Sequence, residues 1–410
     1  MKVYPRVSLY ALMLAAAGIP LYIHVPRFAS TELQMSLATI GTLLLIIRLV
    51  DLVQDPLIGW AIDRWPRAQG LFALSAAAGL AVGFPTLFNL GAGPSVAWQL
   101  LATLVLLFSA YSLGSILLYG RSTTLALRPG ATELMVLAGW REGGTLAGVV
   151  IASIAPSIFF GFGAGGQGYP AFGLLLGAIA VVTALVTRPI WQRPPQAGEP
   201  LSTSGLVRSG ALRLLAIALV NSLPVAITST LFLFFVEDRL KLAGWSGPLL
   251  VLFFLSAGVS VPLWTKLSGR IGARATLLVA MPLAILGFVG AALLAPGSLV
   301  AFGAICAASG VALGADMVIL PAMFSVALSR AGLNASVAFG IWSFAGKLGL
   351  ALAAFMVLPL LARNGFVPGQ PNSPEALSSL AFAYALLPCG LKILAIGLVL
   401  RLPKEGCPNG

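Results

Sequence analysis

Arg48, Asp51 and Asp55 fall at i, i+3 and i+7 within a mainly apolar stretch from 33 to 56. A helix turns about 100° per residue, which puts all three on one stripe: two carboxylates a turn apart and a guanidinium a turn further on. Such a pair suits reversible capture of a small cation. Repulsion and burial raise its proton affinity, while a bound cation or a facing base favours the ionised form. The alternative is that both acids only lock neighbouring helices through salt bridges. Arg141 beside Glu142, Lys347, Asp316 and Lys392 are further charges in apolar surroundings.

The elements that carry these charges follow from composition. Of 410 residues, 59% are apolar and 9% charged, against about a quarter charged in a soluble chain. A cytosolic enzyme, a nucleic-acid binder and a disordered scaffold are excluded. Runs long enough to cross about 30 Å of hydrocarbon lie near 7 to 27, 33 to 56, 71 to 92, 97 to 119, 134 to 158, 169 to 187, 211 to 236, 247 to 265, 275 to 294, 298 to 328, 335 to 362 and 376 to 400. Twelve transmembrane helices are expected. With both termini in the cytoplasm, only Arg27, Arg239, Lys241 and Arg363 among the 24 Lys and Arg residues fall outside, and Arg48, Arg141, Lys347 and Lys392 fall within spans. The net charge of +12 is therefore dispersed over short cytoplasmic loops, a pattern of topology rather than of a nucleic-acid footprint. Cys306, Cys389 and Cys407 have no disulfide or metal spacing, and the first run reads as helix one rather than a removable signal.

The Pro-rich stretch 188 to 210 divides the spans into six and six, so the expected organisation is a helical bundle at 1 to 187, a cytoplasmic linker at 188 to 210 and a second bundle at 211 to 410. Pro56 and Arg64 recur as Pro262 and Arg270 at a constant offset, and that offset carries Arg141 onto Lys347. Two pseudo-symmetric six-helix bundles in an all-α membrane protein are the architecture of a major facilitator.

A charge at mid-membrane costs about 2.5 to 3.5 kcal/mol, so each that persists should meet a partner, a cavity or a solute. Lys347 has no acid nearby in sequence and needs Asp51 or Asp55 across the cavity, a solute anion, or neutralisation, the first being the favoured reading. Arg141 and Glu142 are either a packing pair or solute contacts. Asp316 is a gating or packing acid, and Lys392 is read as snorkelling. The lone His24 reads as an interfacial polar residue, and Tyr22, Trp60, Trp65, Trp98 and Trp245 as an aromatic belt. The glycines from 161 to 168 read as a flexible turn, not a phosphate cradle. No ATP-binding motif is visible.

The run Arg48, Asp51, Asp55, Pro56 and Gly59, continuing to Asp63 and Arg64, resembles the glycoside-pentoside-hexuronide:cation symporters, the melibiose-permease branch of the major facilitators, with Gln54 in place of their Asn. Similar segments surround Pro262 and Arg270, Asp316 and Pro321, and Phe339, Trp342, Ser343 and Lys347. The resemblance implies that Asp51 and Asp55 bind the coupling Na⁺ or H⁺ with Lys347 close by; Asp63, Arg64, Arg270 and Asp316 are the expected gating residues. The pattern departs where sugars are read: no acid lies in 7 to 27, Arg121 to Thr124 replace a second acid, and Trp342 replaces an amide.

The expected function is cation-coupled symport of a small organic solute, a sugar or glycoside, by alternating access. Arg48 and Lys347 are the charge partners, and Arg141, Glu142, Trp342, Ser343 and Thr123 the solute contacts. The alternatives are a carrier of an amphipathic or anionic solute such as a lysolipid, an exporter, or a membrane-embedded enzyme or binder. One histidine and no ligand cluster argue against an enzyme. Apart from H⁺ or Na⁺, no cofactor or metal is expected. The expected setting is a monomer in a bacterial inner membrane, among lipids.

Overall fold

The computed structural model describes residues 3 to 403 apart from 26, 27, 30, 31, 36, 129, 162 to 167, 195 to 198, 200, 202, 243, 368 and 369. Most of the glycine-rich turn, part of the linker, Arg27 and Cys407 lie outside the described residues. The long helices are α1 (Val3–Ile19), α2 (Leu37–Arg64), α3 (Gln69–Phe88), α4 (Val96–Gly120), α5 (Ala131–Gly161), α6 (Gly168–Trp191), α7 (Ala211–Phe234), α8 (Ser246–Ile271), α9 (Ala273–Ala291), α10 (Leu299–Arg330), α11 (Ser336–Arg363) and α12 (Pro374–Leu400). They overlie the expected spans one for one. Among the described residues, nine helices are long and apolar enough to cross a membrane. Helices satisfy every backbone group internally, which hydrocarbon demands. Pro20–His24, Phe235–Arg239 and Phe382–Leu386 are π-helical, so α1 and α7 both finish in a widened turn and α12 contains one.

By packing, the chain forms two units. One holds residues 1 to 205 and 325 to 344; the other holds 206 to 324 and 345 to 410. The end of α10 and the first turns of α11 thus belong to the first unit. Within it, α1 packs on α5 and α6, α2 on α4, and α3 on α6. Within the second, α7 and α9 pack on α12, and α8 meets α10, where Ser260 Oγ and Trp264 Nε1 both donate to the Val311 carbonyl at 3.1 and 2.7 Å. The pairings of α1 with α6, α2 with α4 and α3 with α6 recur as α7 with α12, α8 with α10 and α9 with α12. Aromatic side chains fill each interior: Phe28, Phe88 and Tyr169 in the first, Phe235, Phe302 and Tyr384 in the second.

Helix α2 is turned inside out relative to a water-soluble helix. Leu49, Val53, Leu57 and Trp60 are exposed, whereas Asp51 and Asp55 on the opposite stripe are buried. That polarity fits a helix with lipid on one side and polar partners on the other. Trp65, Trp98 and Trp245, assigned to the aromatic belt, are likewise exposed near helix ends.

Candidate functional site

The two carboxylates of α2 are 1% and 0% exposed at Asp51 and Asp55. Arg48 Nη1 lies 3.2 Å from Asp51 Oδ2, as the spacing anticipates, and its guanidinium rests over Phe108. Gln54 Nε2 donates to Asp51 Oδ1 at 2.8 Å, and Ser109 Oγ of α4 donates to Gln54 Oε1 at 2.7 Å. Asp51 is therefore tied to α4 through an amide relay. Asp55 is tied elsewhere: Ser343 Oγ of α11 donates to its Oδ2 at 2.7 Å. Ser343, expected among solute contacts, holds the second acid.

The Asp55 contact is one end of a seam. Asp55, Gly59 and Asp63 recur every four residues along one stripe of α2 and meet Ser343, Gly340 and Ser336 of α11, which run the opposite way. A Cβ on Gly340 would stand 2.6 Å from the Asp55 carbonyl oxygen, and one on Gly59 would stand 2.5 Å from the Ser336 carbonyl oxygen. Only glycine permits that approach. At the far end, Asp63 Oδ1 accepts from the Ser336 N–H at 3.3 Å and Oδ2 from the Val337 N–H at 2.9 Å. The carboxylate satisfies two orphan donors of α11 and faces the positive end of its dipole. Arg121 Nη2 lies 3.8 Å from Asp63 and donates to the Ile62 carbonyl at 2.6 Å. Burial pulls the Arg121 guanidinium below the ordinary arginine value while Asp63 opposes that pull. An arginine nevertheless stays charged.

A second cluster is built on α4 and α5. Arg141 Nε pairs with Glu142 Oε1 at 3.0 Å, the Tyr119 hydroxyl donates to the same oxygen at 3.0 Å, and the guanidinium lies 3.7 Å from the Tyr119 ring centre. Arg141 and Glu142 are buried, yet Arg141 Nη2 has no hydrogen-bond partner among the described residues. Tyr119 packs against Phe339 and Phe339 against Trp342, which lines Trp342 up behind the cluster. Thr123 is half-buried in the short helix Ser122–Leu125, beside Arg121 in sequence.

Arg64 and Arg270 close α2 and α8 with exposed side chains. Lys347, half-buried, lies one helical turn beyond Ser343 on the same face of α11 and belongs to the second unit. Asp316 pairs inside that unit with Lys392, which also donates to Asn221 Oδ1 at 2.6 Å. The expectation that Lys392 snorkels is corrected: at 5% exposure and with two buried partners, its ammonium is satisfied inside the bundle. Sequence reasoning did not single out Ser109, Tyr119 or Asn221. The signal was a polar side chain in an apolar span, each needing a partner.

Comparison with known proteins decides the family. The family model for MFS/sugar transport proteins matches residues 7 to 405. The chain belongs to the MFS/sugar transport protein family. The family resemblance carried by residues 48 to 64 is thereby borne out, and the protein is a major facilitator transporter of a small solute, an integral membrane protein and not an enzyme. It is 25% identical to the isoprimeverose transporter of Lactiplantibacillus pentosus over 403 residues, covering 89% of this chain and 81% of that one. Among solved structures it is similar to a bacterial homologue of the iron transporter ferroportin in the outward-facing state, with TM-score 0.71, 16% identity and coverage of 97% and 100%. A second structure of such a homologue, with soaked iron, gives TM-score 0.65 at 16% identity, covering 96% and 99%. At those identities the two structures show the shared MFS fold.

Proposed function

We propose that this transporter couples a cation, H⁺ or Na⁺, to symport of a small organic solute by alternating access, and that Asp51 and Asp55 are its cation site. The observation that carries this reading is the pair of buried acids one turn apart on α2, each held by a different neighbour. A cation that binds both must pull on the Gln54 relay to α4 and on the Ser343 bond to α11. Occupancy then biases the seam that Asp63 caps further along. One monovalent cation crossing 100 mV supplies about 2.3 kcal/mol to drive such a cycle. Arg48 is the near counter-charge. Lys347, one turn from Ser343, is the base assigned to tune the acids, and Asp63, Arg64, Arg270 and Asp316 are the gating residues.

The solute is read by Arg141, Glu142, Trp342, Ser343 and Thr123. Similarity to an isoprimeverose transporter favours a glycoside. The second reading, an amphipathic or anionic solute such as a lysolipid, draws on Arg141 Nη2, a buried donor with no acceptor among the described residues. The assigned setting is a monomer in a bacterial inner membrane, two six-helix halves joined by the 188 to 210 linker, both termini cytoplasmic, working by uptake without a further cofactor.

Thermal unfolding of the purified protein against isoprimeverose, other glycosides, organic acids and lysolipids, each with and without Na⁺ and across pH, tests the reading. A glycoside that raises the melting temperature more when Na⁺ or H⁺ is plentiful is the expected result. Stabilisation by solute that ignores both ions would overturn cation coupling, and stabilisation by lysolipid alone would favour the second reading.

A further inference from the structure

The second unit contains a cavity of about 40 Å³ between α7, α8, α9, α10 and α12, lined by Thr228, Phe253, Phe288, Ser309, Asp316 and Lys392 among others. At roughly 10 to 15 Å³ per molecule it has room for about three waters. Asp316 is 8% exposed. Its Oδ2 takes the Lys392 ammonium, while its Oδ1 is buried with no hydrogen-bond partner among the described residues. Thr228 and Ser309 give their hydroxyl protons to carbonyls of their own helices, at 3.0 Å to Pro224 and 2.6 Å to Ile305. Both therefore offer the cavity lone pairs. Oδ1 is left as an acceptor that none of the described hydrogen bonds reaches.

We propose that Asp316 is a proton-binding site of the second six-helix half, taking the proton on Oδ1, with Lys392 and Asn221 as positioning residues. In the step, a hydronium in the cavity gives its proton to Oδ1; an O–H bond forms, water is left behind, and the carboxylate becomes a neutral acid. Lys392 keeps its ammonium, so the pair passes from neutral to a single positive charge. The bond that ties α10 to α12 weakens from an ion pair to a hydrogen bond between an ammonium and a neutral acid.

The other small ligands fit less well. A metal cation would find one carboxylate oxygen already taken by an ammonium that repels it. An anion would face Asp316. Of the elements around the cavity, α12 contributes the charge of Lys392 and the thiol of Cys389, which donates to the Ile285 carbonyl at 3.8 Å, and α7 the neutral Asn221; the lining residues of α8 and α9 carry no titratable group. The site lies in a different unit from Asp51 and Asp55, so either assignment can fail without the other.

Infrared difference spectra of the full chain in lipid nanodiscs during a pH titration test the proposal. In the Asp51→Asn, Asp55→Asn background, the carboxylic-acid C=O signal that grows on acidification should contain a band that is missing when Asp316→Asn is added, the remaining carboxylates cancelling in the comparison. Identical signals with and without Asp316→Asn in that background would overturn it. Should Asp316→Asn fail to fold, Asn221→Ala keeps the acid and its counter-charge but frees the ammonium. It should move the band's midpoint by about one pH unit, the equivalent of losing one buried hydrogen bond. A midpoint that does not move would count against the proposal.

Discussion

Ser343 Oγ sits 2.7 Å from Asp55 Oδ2, so the first turns of α11 are bonded to a fully buried carboxylate of α2. Eight residues further along α2, Asp63 takes the N–H groups of Ser336 and Val337 at the start of the same helix. The group assigned to the cation and the group that caps the helix therefore share one seam.

Removing the Ser343 hydroxyl should separate the two coupling ions. Ser343→Ala takes away an oxygen next to the site and a donor to the ionised acid, an effect of roughly ten- to hundredfold for a hydrogen bond to a charged group. A Na⁺-coupled carrier should then need at least about tenfold more Na⁺ for half-maximal uptake, whereas an H⁺-coupled one should stay active to higher pH. An unaltered dependence on both ions would mean that Ser343 does not act on the cation site.

The glycines of the seam should be intolerant of any side chain. In Gly340→Ala or Gly59→Ala the new methyl meets backbone rather than a side-chain tip, so α11 must move away from α2. Uptake should fall tenfold or more while solute still raises the melting temperature. Wild-type uptake rates in both variants would show that the close approach is unimportant to the cycle.

How much of this was legible in the sequence follows from what each residue needs. The helices were legible because hydrophobic length alone decides them, and the buried stripe of Asp51 and Asp55 because periodicity does. Arg48 was close in sequence and its pairing followed. The Gln54 to Ser109 relay and the Ser343 bond join residues 55 and 288 positions apart, and no periodicity encodes which polar group on another helix comes within reach. Gly59 and Gly340 look like ordinary membrane glycines until the opposing backbone is in place. Lys392 illustrates the same limit. A lysine in a last span can snorkel, and only packing shows that Asp316 and Asn221 hold its ammonium in the interior.

Asp63 should matter for stability as well as for transport. Asp63→Ala orphans two helix N–H groups and removes the carboxylate beside buried Arg121, a loss of about 1 to 2 kcal/mol. Asp63→Asn keeps an acceptor for the cap and should recover part of the melting temperature. Equal melting temperatures for wild type and Asp63→Ala would remove the capping role.

Arg141 should be read in the solute, not in the cation. Arg141→Lys keeps the charge but loses the planar guanidinium that lies on Tyr119 and bonds Glu142. The expected outcome is a KM for solute raised tenfold or more with the half-saturating cation concentration unchanged. A shift in cation dependence with KM intact would move Arg141 to the coupling machinery.

The most direct measurement is ion-gradient-driven uptake in proteoliposomes, using the solute that most raises the melting temperature, for wild type, Asp51→Asn and Asp55→Asn, with folding checked by circular dichroism. Wild type should accumulate solute under an imposed Na⁺ or H⁺ gradient, and both variants should lose accumulation while keeping their fold. Gradient-driven accumulation that persists in Asp55→Asn would contradict the assignment of the α2 carboxylates as the cation site.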